Sequence, residues 1–194
     1  ALLEAARSHL LLLLERDGVD SGPEFFRRVA ETVSAACGAR YALIACTDTR
    51  DTGALYTVGA AQDGRRIDDF QYRLAGGPCE AVFGRGLQHF PTGLREIFPD
   101  DIDLVKMQAD SYLGLPLYSR RAEPLGLIAL LHDAPLADPL FAAELLRQIA
   151  PHVGPALERE MRDRALRENE ALLRGLMQHS PVAMAIVGFD PPHP

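Results

Sequence analysis

Residues 109–133, ADSYLGLPLYSRRAEPLGLIALLHD, read as two consecutive core strands joined by a polar turn, and the rest of the chain is placed around them. In the first run Leu113, Leu115 and Leu117 alternate with Tyr112, Gly114 and Pro116, while the second, 125–131, is apolar on both faces. A sheet with two apolar faces has to be covered twice. The connection at 119–124 is too polar to bury and is closed by a proline that cannot join a central ladder.

At 194 residues the chain can hold one domain of ordinary size and a helical extension. A domain of about 150 residues buries roughly 70% of its unfolded surface, so a self-sufficient core is expected. The net charge is −7 and the pI about 5.3. Lys and Arg form no continuous stripe, which argues against nucleic acid and against an anionic membrane as partners. Cys37, Cys46 and Cys79 are odd in number, far apart and never in a C-x-x-C arrangement. Neither a disulfide framework nor a zinc site is indicated, and thiols in a reducing, cytoplasmic compartment are expected. The leucine run 10–14 falls far short of the roughly 18 apolar residues of a membrane span. The chain begins without Met and ends in Pro-Pro-His-Pro, so it is expected to be a piece of a longer protein.

Residues 1–16 are leucine-rich and helical in composition, ending at Asp17-Gly18. Ser21-Gly22-Pro23-Glu24 opens a second helix that puts Phe25, Val29 and Val33 on one face and stops at Gly38. Residues 40–47 read as a buried strand, 48–53 as a turn, 54–61 as its hairpin partner, and 70–74 as a third strand after a polar loop at 62–69. Helices followed by strands make an α+β pattern, not an alternating βαβ one. The stretch 75–82, AGGPCEAV, spells a helix start. Gly77 is the N-cap, Pro78 the first helical residue and Glu80 the third, where its carboxylate reaches back to the cap N–H. Cys79 then falls in the first turn, where the positive end of the helix dipole favours a thiolate. From 84 to 107 glycines and prolines break up the text around Phe90, Phe98 and Met107, as in a long connection folded over one sheet face. Asp138-Pro139 starts a long helix carrying Phe141, Leu145, Ile149, Val153, Leu157 and Met161 at spacing four, with kinks expected at Pro151 and Pro155. From 158 onward it is charged and heptad-like, and Leu166, Asn169, Leu173 and Leu176 form one seam with the Asn able to set register. A homodimer through the N-terminal and C-terminal helices is expected in preference to a solitary solvated helix.

Taken in this order, GGPCEAV, SYLGLPL and PLGLIALL resemble the GAF sensory domain over about residues 23–160. The resemblance implies an α+β fold in which an antiparallel sheet carries the terminal helices on one face and a helix-and-loop lid over a ligand or chromophore pocket on the other. Residues 170–190, EALLRGLMQHSPVAMAIVGFD, look like the opening helix and first strand of a PAS domain. The implied organisation is an N-terminal helix and linker at 1–22, a GAF domain at 23–157, a coiled linker helix at 158–178 and the start of a PAS domain at 179–194. That order is usual in multidomain sensors whose output is a histidine kinase or a cyclic-di-GMP enzyme. A regulatory signalling module is therefore expected, with no catalytic motif of its own in this stretch. One departure is Gly77, where the family usually has threonine; the missing side-chain cap costs roughly a few tenths of a kcal/mol.

Tyr72, Phe83, Phe90, Phe98, Met107 and Tyr112 are expected between sheet and lid, with Cys79 beside them. They either fill that space or line a pocket for a small, largely apolar or aromatic molecule; no cofactor is named by the sequence. Cys79 is read first as a small residue packing its helix on the sheet, and second as a redox-reactive thiol. No Cys-His pair resembles that of bilin-carrying members. Ala109 stands where members that reduce methionine sulfoxide have a cysteine before Asp-Ser. The Asn-Lys-Phe-Asp-Glu constellation of cyclic-nucleotide binders is missing. His89 and His132 lack a ligand partner at metal spacing, and His152 is followed by Val153 in place of the acid usual after a phosphoacceptor. Asp100, Asp101 and Asp103 lack the Gly and distal Glu of a calcium loop and read as a cap for a short lid helix. The alternatives to a ligand sensor are a ligand-free dimerisation and spacing unit, and a redox sensor acting through Cys79.

Overall fold

The computed structural model describes residues 22–47 and 53–179, with side chains to 175. The helix expected at 1–16, most of the turn at 48–53 and the PAS-like strand after residue 179 lie outside the described residues. Helix α1 (Pro23–Cys37) is followed by strands β1 (Tyr41–Thr47), β2 (Ala54–Gln62), β3 (Arg65–Arg66) and β4 (Gln71–Arg73). Helix α2 (Pro78–Arg85), strand β5 (Gln88–Phe90) and the short helices α3 (Leu94–Ile97) and α4 (Ile102–Lys106) come next. Strands β6 (Ser111–Tyr118) and β7 (Pro124–His132) lead into helix α5 (Pro139–His179).

The strands form one antiparallel sheet in the order β3-β2-β1-β7-β6-β5, with β4 also paired to β2. The opening stretch is therefore a central hairpin. β6 and β7 pair from Ser111↔His132 to Tyr118↔Pro124, and Pro124 sits at the end of the ladder, where a missing donor matters least. The turn is held by Ser119, whose hydroxyl accepts from the amides of Arg121 and Glu123, both at 3.1 Å. Two elements depart from the sequence reading. β3 lies inside the expected polar loop, and β5 lies inside the expected irregular connection. Each is too short to show a periodicity and exists because a long neighbouring strand offers its edge.

Alternation divides the side chains of β1 and β7 between two cores. Tyr41, Leu43 and Ala45 share one face with Leu127, Ala129 and Leu131, and all belong to a cluster that also holds Leu94 and Leu104 from α3 and α4. Ala42, Ile44 and Cys46 share the other face with Ile128 and Leu130, all buried. Helix α1 lies against β1 and β2 through Phe26, Val29 and Val33, each 0% exposed. The α1 face expected from spacing four is the face that is buried.

The chain divides into two compact units after Glu160. In the first, α5 buries Leu145, Leu146, Ile149, Val153 and Leu157 together with Ala142, Ala143 and Ala156. Phe141 is only half-buried, because the stripe begins one residue later at Ala142. The helix runs unbroken through Pro151 and Pro155. In the second unit the described part of α5 exposes Leu166, Leu172 and Leu173 by 59–64%. Among the described residues no helix is long and apolar enough to cross a membrane.

Candidate functional site

The face of the sheet away from α1 is covered by α2, α3 and α4, and there the seven candidate residues converge. Cys79 and Tyr112 belong to the buried cluster, and Tyr72, Phe83, Phe90, Phe98 and Met107 pack against it half-buried. Their positions follow from local sequence. Gly77 ends an extended segment, Pro78 starts α2, and Cys79 in the first turn points into the sheet. Glu80 reaches back as expected, but one residue further than the cap: its Oε2 accepts from the Gly76 amide at 2.9 Å.

The Cys79 thiol sits between two phenols. Tyr112 Oη donates to Cys79 Sγ at 3.5 Å, and Tyr72 Oη lies 3.7 Å away on the other side. Gly114 makes this possible, because the Tyr112 ring lies along β6 over it, and a Cβ at 114 would fall 2.6 Å from Tyr112 Cε1 and Cζ. Burial pushes the Cys79 thiol up to about 11, only partly offset by its hydrogen bonds with Tyr112 and Tyr72. Burial likewise holds both phenols well above the ordinary tyrosine range. The expectation that the helix dipole favours a thiolate is thus corrected. A dipole worth about 0.3–1 kcal/mol does not compensate for removing the thiolate from water. Burial favours the neutral thiol, and Cys79 packs within the lid-side cluster.

The aromatic side chains continue outward from this knot. The rings of Phe90 and Phe98 meet edge to face at 5.2 Å, and Phe90 approaches Tyr112 at 6.2 Å. Beside them a cleft of about 410 Å³ opens on the lid, lined by Gly77, Glu80, Ala81, Gly84, Arg85, Phe90, Ile97 and Phe98. Two of the seven candidates therefore line open space, while Cys79 and Tyr112 lie beneath it. The sequence reading selected large side chains and so missed Ala81 and Gly84. A groove is made where side chains are small, and the only signal was their place on one face of α2 with Gly77. A roomier cleft of about 620 Å³, lined by Arg27, Arg66, Ile67 and Asp68, touches none of the candidates. Its two arginines are engaged in ion pairs, Arg27 with Asp69 at 3.1 Å and Arg66 with Glu24 at 3.4 Å.

The acidic cluster caps the lid as expected. Asp101 is the N-cap of α4, its Oδ1 accepting from the amides of Asp103 at 3.1 Å and Leu104 at 3.4 Å. His132 Nδ1 accepts from the Arg40 amide at 3.1 Å. His89 lies exposed on β5 and His152 exposed on α5. Among the described residues no group of three or more His, Cys, Asp or Glu side chains is arranged to hold a metal ion.

An antiparallel sheet with helices on one face and a helical lid on the other is the GAF fold, an α+β arrangement, and the described residues adopt it. Solved structures share it. The chromophore-binding domain of a Stigmatella aurantiaca bacteriophytochrome is 17% identical, with a TM-score of 0.61 over 80% of this chain and 60% of that domain. A phycoerythrobilin-bound GAF domain from a cyanobacterial phytochrome is 11% identical, with a TM-score of 0.60 over 84% of this chain and 97% of the other. Free methionine-R-sulfoxide reductase from Neisseria meningitidis, in complex with its substrate, is 15% identical, with a TM-score of 0.62 over 84% and 94%. This chain thus spans about 60% of the bacteriophytochrome domain's length. No family model matches the sequence, and no curated protein matches it.

Proposed function

We propose that this chain is a sensory regulatory module that takes a small, largely apolar or aromatic molecule between sheet and lid. The observation that carries the reading is the convergence of Tyr72, Cys79, Phe83, Phe90, Phe98, Met107 and Tyr112 on one sheet face, where Phe90 and Phe98 line an apolar cleft of about 410 Å³. Like-folded domains that hold a chromophore or a substrate support it. The ligand state biases the pairing of α5, and so a downstream output domain, a histidine kinase or a cyclic-di-GMP enzyme, joined through a PAS domain starting near residue 179. The module itself is non-catalytic and cytoplasmic. Ala109, where the sulfoxide-reducing chemistry needs a thiol, is a 1% exposed methyl in the lid-side core, and burial disfavours the thiolate of Cys79. A redox role for Cys79 is disfavoured on the same grounds.

Melting shifts against a metabolite panel test the reading. A true ligand raises the melting temperature of the native chain and loses most of that shift in Phe90→Ala and Phe98→Ala. A panel without hits, or a shift that survives both substitutions, counts against it. One observation favours the alternative of a ligand-free spacing unit: Tyr112 is 0% and Cys79 7% exposed, so the deepest part of the space is filled by the chain itself.

A further inference from the structure

The end of β6, the turn after it and the middle of α5 enclose a further cleft of about 410 Å³. Leu115, Pro116 and Tyr118 form one wall, and Ala150, Pro151 and Pro155 form the other. Leu115 pairs with Ile128, so its side chain falls on the sheet face opposite the lid-side cluster. The frame is fixed from both walls. A Cβ at Gly154 would collide with the Tyr118 carbonyl, so glycine there lets α5 settle on the end of β6. The Arg120 amide donates to Glu158 Oε2 at 3.3 Å, and the Ser119 amide closes the turn on the Glu123 carbonyl at 2.8 Å. Pro151 and Pro155 have no amide hydrogen to donate along the helix, yet α5 runs unbroken through them, and both rings line this cleft.

Charge sets the cleft apart from the other two. Its lining includes Arg120 and Arg147 and no carboxylate. In the lid cleft Arg85 is accompanied by Glu80, and in the roomier cleft Arg27 and Arg66 are accompanied by Asp68. The side chains of Arg120 and Arg147 are exposed and make no hydrogen bond or ion pair among the described residues. We propose that this cleft binds an organic carboxylate with a flat apolar body. The body lies between Tyr118, whose ring is 45% exposed, and the proline wall, and the carboxylate meets the two guanidiniums, whose forked donors match its oxygens. A neutral apolar molecule leaves both cations without a partner, and a small inorganic anion leaves the apolar walls uncovered, so the two features together define the class. The site lies on the other sheet face from the lid cleft and does not depend on the function proposed for that cleft. Its occupant touches α5 directly, ahead of Glu160 where the first compact unit ends.

Amide chemical shifts of the whole, isotope-labelled chain, titrated with naphthoate, test the proposal, with naphthamide and acetate as comparisons. Naphthoate is expected to shift the amides of Tyr118, Ser119, Arg120, Arg147 and Ala150 saturably. Naphthamide keeps the rings without the charge and acetate the charge without the rings, and each is expected to bind these residues about tenfold or more weakly. Arg120→Gln and Arg147→Gln are each expected to weaken naphthoate about tenfold. Their melting temperatures stay at the native value, since neither side chain has a partner to lose. Equal affinity for naphthoate and naphthamide, or for naphthoate and acetate, overturns the proposal, as does an affinity unchanged in both variants. Shifts that follow protein concentration and not the probe assign this face to a second copy and overturn it as well. Movement confined to the amides of Ala81, Gly84 and Phe90 places the probe in the lid cleft, which overturns this site and leaves the lid-side reading standing; movement confined to the helix side does the converse.

Discussion

At the scale of single residues, burial alters the chemistry of the Cys79 sulfur. A thiol moved from 9.0 to about 11 by burial stabilises the fold fully below pH 9.0, and that contribution is lost as pH rises toward about 11, because the unfolded chain ionises first. The effect is on the order of 2 kcal/mol. Cys37, moved to about 12, acts in the same direction. Denaturant unfolding between pH 7 and 11 is expected to show an alkaline decline that is shallower in Cys79→Ala; an equal decline in both chains refutes it. Gly114→Ala is expected to cost about 1–3 kcal/mol, because the Tyr112 ring has to leave its place along β6. Tyr112→Phe, which keeps the ring, is expected to cost about 0.5–1.5 kcal/mol. The importance of Cys79 was visible in GGPCEAV, but the sign of its ionisation was not. A helix-start pattern announces the dipole, whereas burial depends on Tyr72 and Tyr112, which are supplied by two separate strands.

Among the elements, long ones were legible and short ones were not. The hairpin of β6 and β7, the β1–β2 pair and the buried stripes of α1 and α5 follow from periodicities sustained over two turns or several alternations. β3 and β5 carry none, and their existence depends on the edges of β2 and β6. Element joins depend on equally local contacts. Ser34 of α1 donates to the Ala39 carbonyl at 2.8 Å and accepts from the Gly64 amide at 3.0 Å, tying the end of the helix to the β2–β3 turn. Ser34→Ala leaves the Gly64 amide without that acceptor and is expected to cost about 1–3 kcal/mol, measured by chemical denaturation. The described C-terminal end of α5 exposes Leu166 and Leu173 of the expected seam, as an unpaired seam would. If the helix pairs, the mass of the fragment by light scattering is that of a dimer, and Leu166→Glu with Leu173→Glu makes it a monomer. A native chain already monomeric at micromolar concentration ends the pairing idea.

For the whole molecule, one sheet separates a helix-covered face from a lid-covered face, and the lid side is where the sensed molecule is proposed to bind. That division was legible because 125–131 is apolar on both faces and so demanded two covers. The shape of the lid cleft was not, since it is set by the missing side chains of Gly77 and Gly84 and the single methyl of Ala81. Cutting a core contact should affect the two faces together: Leu146→Ala on the helix side is expected to cost about 2–5 kcal/mol and, if folding is two-state, to lower a single melting transition. A second transition would mean that the faces unfold independently. The margin of the sheet has a further implication. β5 pairs with β6 only from Tyr112 to Gly114, leaving the outer backbone of β6 beyond Gly114 without a strand partner among the described residues. Pro116 in that stretch has no amide hydrogen to offer an incoming chain, and a proline in a sheet sits with its missing donor toward the unpaired side. Strand-by-strand growth into fibrils is thereby discouraged along that stretch of β6.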